Sequence, residues 1–88
     1  IIGYGAPAKA TTILNYFGLS DKDFLFTIDE NSLKQNKFIP GTEIQIKNID
    51  DISPNDYEYV LVLAWNFFDV IKRNNQKYFK NSQFIKLK

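Results

Sequence analysis

Gly3-Tyr4-Gly5-Ala6-Pro7-Ala8-Lys9-Ala10 decides the fold, because it sets a glycine-rich turn between the apolar stub Ile1-Ile2 and a stretch with helical periodicity. Gly3, Gly5 and Ala8 stand at the G-x-G-x-x-G/A spacing. In that pattern the first glycine permits a tight turn, the second lets a ligand approach the backbone, and the third small residue lets helix and strand pack closely. A helix opening at this point presents free N–H groups and the positive end of its dipole to a phosphate or carboxylate. Asp29 closes the next apolar run 21 residues after Ala8, where a ribose-binding acid stands in a dinucleotide-binding unit. The turn therefore points to a nucleotide-type ligand at the edge of an α/β sheet, while strand–helix packing alone would account for its small residues equally well.

Outward from the turn, Ala10, Ile13, Leu14 and Phe17 recur at i, i+3, i+4 and i+7, which predicts a helix over 7–17. Pro7 suits its first turn and Gly18 its C′ position. Phe24-Leu25-Phe26-Thr27-Ile28 is a short, nearly continuous apolar run, the pattern of a strand buried on both faces. The polar stretch 29–37 reads as a loop, and Pro40-Gly41 as a type II turn. Ile44 and Ile46 alternate with polar residues, which suits an edge strand over 43–47. The stretch from Asn48 to Asp56, with Ser53-Pro54, reads as a loop. Tyr59-Val60-Leu61-Val62-Leu63-Ala64 is the most apolar run and is expected to be the central strand. Asn66 is placed to cap a second helix whose buried face carries Phe67, Val70 and Ile71, and a last strand spans 83–87. The alternation predicts an α/β domain with a mainly parallel sheet of order three-two-one-four-five, in three layers with right-handed crossovers.

Composition limits what such a sheet can do. The 88 residues make one small domain with a marginal core, too short for two mononucleotide-binding halves. The chain starts on Ile and contains no Met, which reads as a piece of a longer polypeptide. Eleven basic and ten acidic residues leave a net charge of +1, too weak a field to argue for nucleic acid or an anionic membrane as partner. No apolar run approaches the ~20 residues that span a bilayer, and no signal-peptide pattern is present. The expected compartment is the cytoplasm. With no Cys and no His, the chain offers no disulfide, thiolate nucleophile or imidazole base, and no metal site is expected.

Three blocks of sequence carry a family resemblance: 3–10 followed by Leu14-Asn15-Tyr16-Phe17-Gly18; Leu33-Lys34-Gln35 with Pro40-Gly41-Thr42-Glu43-Ile44; and Val60-Leu61-Val62-Leu63-Ala64-Trp65-Asn66-Phe67. Together they resemble the C-terminal domain of the SAM-dependent C-methyltransferase family, from Gly3 to about Leu87. The resemblance implies a Rossmann-like domain over 1–88 that follows a Cys-rich zinc-binding domain and a central SAM-binding domain. It also implies a substrate-holding role in an enzyme that methylates carbon on a nucleotide-linked deoxysugar. S-adenosylmethionine is then the cofactor of the full-length enzyme, with none expected in this piece, and the central domain of the same polypeptide is a partner. The residues agree in one respect: Gly3-Tyr4-Gly5 lacks the preceding acid and the third glycine of a SAM motif. No catalytic residue, and no catalysis from this piece alone, is expected.

The candidate substrate-binding residues are Tyr4, Gly5, Ala6 and Lys9 in the turn, Lys34 and Lys37 in the following loop, and Trp65 and Asn66 after the apolar fourth strand. If all project from strand carboxyl ends, they converge on one crevice, the usual ligand position of open α/β sheets. Two other readings stay open. One is a dinucleotide-binding fragment of an oxidoreductase, which Asp29 would serve. The other is a ligand-free packing module, whose eight Phe, five Tyr and one Trp dock against other domains.

Overall fold

In the computed structural model, which describes residues 1–53 and 55–87, five strands form a single sheet. They are β1 (Ile2–Tyr4), β2 (Thr27–Ile28), β3 (Ile46–Lys47), β4 (Tyr59–Val62) and β5 (Gln83–Lys86). Their order is β3-β2-β1-β4-β5 and every ladder is parallel, as the alternation of strand and helix patterns predicts. β4 is interior but not the middle strand, which is β1, so the most apolar run lies beside the centre. Pro54, half of the Ser53-Pro54 loop signal, lies outside the described residues.

Side chains alternate between two cores, as the period-two geometry of a strand requires. Leu61 and Leu63 face one layer, where Ala10 and Leu14 of the helix α1 (Ala10–Tyr16) pack with Phe24, Ile39, Ile44 and Ile46. Ile2, Tyr4, Val60 and Val62 face the other, with Phe26, Ile28, Phe79 and Phe84. There the helix α2 (Phe68–Asn75) contributes Phe68 and Ile71. The chain leaves β1 toward β2 and leaves β4 toward β5, in opposite directions across the sheet, so right-handed crossovers put the two helices on opposite faces. This gives three layers, with the direction of winding reversing between β1 and β4.

The middle strand is narrow because its neighbour needs the space. A Cβ on Gly3 would lie 2.7 Å from Thr27 Oγ1 and 3.0 Å from Thr27 Cβ. Thr27 is fully buried and donates its hydroxyl to the Gly5 carbonyl at 2.7 Å. Gly5 adopts φ 100°, and a Cβ there would meet Ala64 at 2.9 Å, so the turn after β1 runs tight against the end of β4.

The first helix starts later than expected. Pro7-Ala8-Lys9 forms a separate turn, in which the Pro7 carbonyl accepts from the Ala10 amide at 2.9 Å. α1 then ends in a Schellman motif: Gly18 N–H donates to the Asn15 carbonyl (3.2 Å) and Leu19 N–H to the Leu14 carbonyl (2.8 Å). The second helix differs in phase. Trp65–Phe67 form a 3-10 turn, Asn66 caps nothing, and Phe67 and Val70 are exposed. The three residues spent in the tighter turn rotate the buried stripe to Phe68, Ile71 and Asn75.

The second strand is shorter than 24–28, and Leu25, whose N–H donates to the Ile1 carbonyl at 3.0 Å, is exposed. The loop over 29–37 leads into a small hairpin. Phe38 bridges Gln45 in antiparallel fashion, and Ile39 N–H donates to the Ile44 carbonyl (2.9 Å) around the Pro40-Gly41 turn. Thr11 Oγ1 on α1 donates to the Pro40 carbonyl at 2.6 Å and holds that turn against the helix.

Because Gly3 faces a fixed hydroxyl rather than the end of a flexible chain, Gly3→Ala should lower the free energy of unfolding by roughly 1–3 kcal/mol, the usual cost of overpacking a core. Urea denaturation monitored by Trp65 fluorescence measures this, and an unchanged midpoint would show that β1 and β2 separate without cost.

Candidate functional site

The carboxyl end of the sheet is built around the peptide groups of the Gly3–Lys9 turn. Gly5 N–H continues the ladder to the Ile28 carbonyl at 2.6 Å, and the next amide, Ala6 N–H, donates to Asp29 Oδ2 at 2.8 Å. The other oxygen of Asp29 accepts from Asn31 N–H at 2.8 Å. Asp29 thus fastens the turn to the end of β2, with both its carboxylate oxygens engaged by backbone amides. On the far side of the same residue, Lys34 Nζ donates to the Ala6 carbonyl at 2.7 Å. Gln35 supports the arrangement by donating from Nε2 to the Asp29 carbonyl (2.8 Å) while its Oε1 accepts from Asn48 (3.3 Å).

Two clefts open beside this turn, on either side of a wall formed by Ala64 and Phe67. The larger, about 790 Å³, lies on the α1 side. Pro7, Ala8, Lys9, Thr12, Ile13, Tyr16 and Phe17 line it from α1 and the turn before it, and Leu63 to Phe67 with Leu87 from the sheet end. Lys9 contributes its only charge. The smaller, about 300 Å³, lies on the α2 side and is lined by Tyr4, Gly5, Asp29 and Glu30 from the ends of β1 and β2 and by Val70, Ile71, Asn74 and Asn75 from α2. Both occupy the place where open α/β sheets bind ligands, outside the carboxyl ends of the strands and where the winding reverses.

The single crevice expected from the sequence is therefore two. Lys9, Trp65 and Asn66 meet in the larger cleft, and Tyr4 and Gly5 in the smaller. Ala6 is buried behind the turn and reaches Lys34 through its carbonyl. Lys37 lines neither cleft: its backbone carbonyl accepts from Ile46 N–H (2.7 Å), which turns the residue toward the hairpin beside β3. The phosphate site expected at the start of the first helix also changes. α1 has seven residues, it starts after Lys9 rather than at Pro7, and Ala10 N–H is already bonded to Pro7.

Tyr4 is nearly fully buried, and its hydroxyl lies 3.2 Å from Glu30 Oε1 and 3.4 Å from Asn75 Oδ1. Burial, reinforced by the nearby Glu30 carboxylate, pushes the phenol up to about 12. Asn75 is itself buried and anchored through Nδ2 to the Ile71 carbonyl at 2.8 Å, so β1, the end of β2 and α2 share one hydrogen-bonded junction.

Sequence reasoning missed Thr27, Glu30, Phe67 as a wall, and the pair Asn74-Asn75. Asn75 carried a signal. Phe68, Ile71 and Asn75 recur at i, i+3 and i+7, so a stripe in that phase ends on a polar residue that needs a buried partner.

Sheet order, with helices on both faces and the winding reversed between β1 and β4, defines a Rossmann-like α/β domain. A family model described as the C-methyltransferase C-terminal domain matches residues 1–87, and the chain belongs to that family. It is also 35% identical over 81 residues to C-methyltransferase NovU of Streptomyces niveus, an alignment that covers 92% of this chain and 19% of NovU. The chain thus spans less than a fifth of the length of that relative. No helix among the described residues is long and apolar enough to cross a membrane.

The Tyr4 junction has a pH signature. Its phenol is raised from 10.0 to about 12, so the unfolded chain loses this proton first as pH rises. The stabilisation is complete below pH 10 and is lost as pH climbs from 10 toward 12. Alkaline unfolding should show this decline, and Tyr4→Phe should flatten it, in denaturant titrations repeated between pH 9 and 12. An unchanged slope in the variant would mean that other groups govern alkaline stability.

Proposed function

We propose that this domain holds the substrate of a SAM-dependent C-methyltransferase, a nucleotide-linked deoxysugar or a compound of similar chemistry, for methylation at carbon. The observation that carries the reading is the larger cleft, where one cation, Lys9, stands in a mostly apolar lining that includes Tyr16, Phe17 and Trp65. That combination suits an anionic group joined to a flat ring: the ammonium attracts phosphate oxygens, and the aromatic faces take the ring. Asn66 and Thr12, in the same lining, supply directional hydrogen bonds.

In this reading the chain binds and orients, and the proton abstraction next to a keto group that makes the carbon nucleophile belongs to the central domain. S-adenosylmethionine, when bound there, supplies the methyl group. Support for leaving SAM outside this chain comes from the turn itself, which lacks the family's acidic glycine-rich motif and whose Ala6 peptide is engaged on both sides by Asp29 and Lys34. The reading includes a cytoplasmic location, where nucleotide-linked substrates and SAM are both at hand.

The test is made in the full-length enzyme. Lys9→Ala should lower kcat/KM for the sugar substrate by about ten- to a hundredfold, the worth of one charge-assisted hydrogen bond. SAM affinity, measured by calorimetry, should stay within about twofold. An unaltered kcat/KM would assign Lys9 and its cleft to packing.

A further inference from the structure

The two edges of the sheet are finished differently. Along the outer side of β3 the hairpin lies antiparallel: Asn36 N–H donates to the Ile46 carbonyl (2.8 Å) and Ile46 N–H to the Lys37 carbonyl (2.7 Å). Beyond β5, no further strand pairs among the described residues. The phase of the ladder says which groups are left open there. Gln83 N–H donates to the Glu58 carbonyl (2.9 Å), so in the parallel register Gln83 and Ile85 turn their peptide groups toward β4, while Phe84 and Lys86 turn theirs outward. β5 contains no Pro, and its register with β4 runs without a bulge from Gln83 to Lys86, so two of the usual devices that block an edge are missing. Its one charge is Lys86. Phe84 packs into the α2-side core, whereas Ile85 and Leu87 lie only partly buried against the α1-side core.

We propose that β5 pairs with β5 of a second copy of this chain, antiparallel, about a twofold axis through Ile85. An outward-facing residue bonds only to another outward-facing one, and this limits the register. Lys86 opposite Lys86 sets like charges face to face, which is destabilising. Phe84 opposite Phe84 carries Lys86 past the end of the other strand and leaves its peptide group without a strand partner. Phe84 opposite Lys86 uses every outward group: the two residues exchange both N–H···O bonds, and the twofold repeats the pair. It also sets the ammonium beside an aromatic ring of the second copy instead of another ammonium. Ile85 then faces its own counterpart at a non-hydrogen-bonded position, where side chains stand closest, and Gln83 faces Leu87. Leu87 lines the larger cleft, so Gln83 of the second copy is brought to that rim. Both copies use the same surface, so the contact closes at a dimer. This inference goes beyond the functional reading above and stands independently of it.

Analytical ultracentrifugation of the full-length enzyme tests the pairing. The wild type should sediment as a dimer that dissociates on dilution. Lys86→Pro removes an outward N–H and leaves the ladder to β4 intact, because proline is tolerated on an edge strand where its nitrogen faces solvent. It should weaken the dimer by about tenfold or more, the worth of the hydrogen bonds lost from both copies. Lys86→Ala keeps that N–H and should weaken the dimer less. A variant that leaves the backbone alone reads the register. Opposed residues at a non-hydrogen-bonded position have Cα atoms about 4.5 Å apart, within the span of a disulfide. This chain has no Cys of its own. On oxidation, Ile85→Cys should therefore cross-link into dimers above the background of the unsubstituted enzyme, and Gln83→Cys, which faces Leu87, should not. A wild type that stays monomeric at its highest soluble concentration would overturn the proposal. So would a dimer that Lys86→Pro weakens no more than Lys86→Ala does, since side chains and not the strand edge would then hold it. Cross-linking as strong at 83 as at 85 would overturn the register centred on Ile85.

Discussion

The carboxyl edge of the sheet depends on the closeness of β1 and β2 at Gly3. With no side chain there, Thr27 stands where a Cβ would be and its hydroxyl reaches the Gly5 carbonyl. That bond satisfies a buried carbonyl at the point where the strand leaves the sheet, a group that would otherwise be costly to desolvate. It also fixes the direction in which the turn departs. Gly5, pressed against Ala64, then sets the distance between the end of β1 and the end of β4. The Tyr4 carbonyl accepts from both Leu63 N–H (2.9 Å) and Ala64 N–H (3.4 Å), so the wall between the two clefts is tied to the middle strand.

The same turn is also where this domain parts from the dinucleotide-binding pattern it resembles in spacing. There, backbone amides face a pyrophosphate and an acid at the end of the second strand faces a ribose. Here the acid and one of the amides meet each other, Asp29 with Ala6, and Lys34 closes the opposite side on the Ala6 carbonyl. The charges that would meet a cofactor satisfy the loop instead. The result is a turn held by the protein's own side chains, with the two clefts open at its flanks. A shared fold therefore carries a different arrangement of the same edge, which is why function is argued from the site.

Much of the fold was legible because its signals are local. The strand order follows from five apolar or alternating runs separated by turn and helix residues, and Gly18 marks the end of the first helix through chemistry that needs no tertiary context. Errors arose where tertiary contacts override periodicity. Asn66 looks like a helix cap by sequence, yet the chain spends Trp65–Phe67 in a 3-10 turn against the end of β4, and the helix that follows is rotated. Leu25 looks buried by its neighbours' hydrophobicity, but it precedes the two-residue strand and is exposed. At the site, Lys9, Trp65 and Asn66 were legible as a group because they follow strand ends. The second cleft was not, because its lining joins Glu30 to Asn74 across 44 positions of chain (74 minus 30), and only the folded sheet brings them together.

The exposed ring of Phe67 connects these observations. A 3-10 turn is an inefficient way to start a helix, since its hydrogen bonds are poorer and it leaves Asn66 without a capping bond. Regular α-helix from Asn66 onward would carry Phe67 in a different direction, toward or away from the α2 core according to phase. The tighter turn instead holds the ring outside both cores and over the boundary of the two clefts, while Phe68 takes the buried position. Leaving so large an apolar side chain 64% exposed forgoes on the order of 1 kcal/mol or more of burial. The geometry at Trp65–Phe67 thus sets the ring at the wall between the two clefts and gives the core position to Phe68, a division that the phase of the helix fixes.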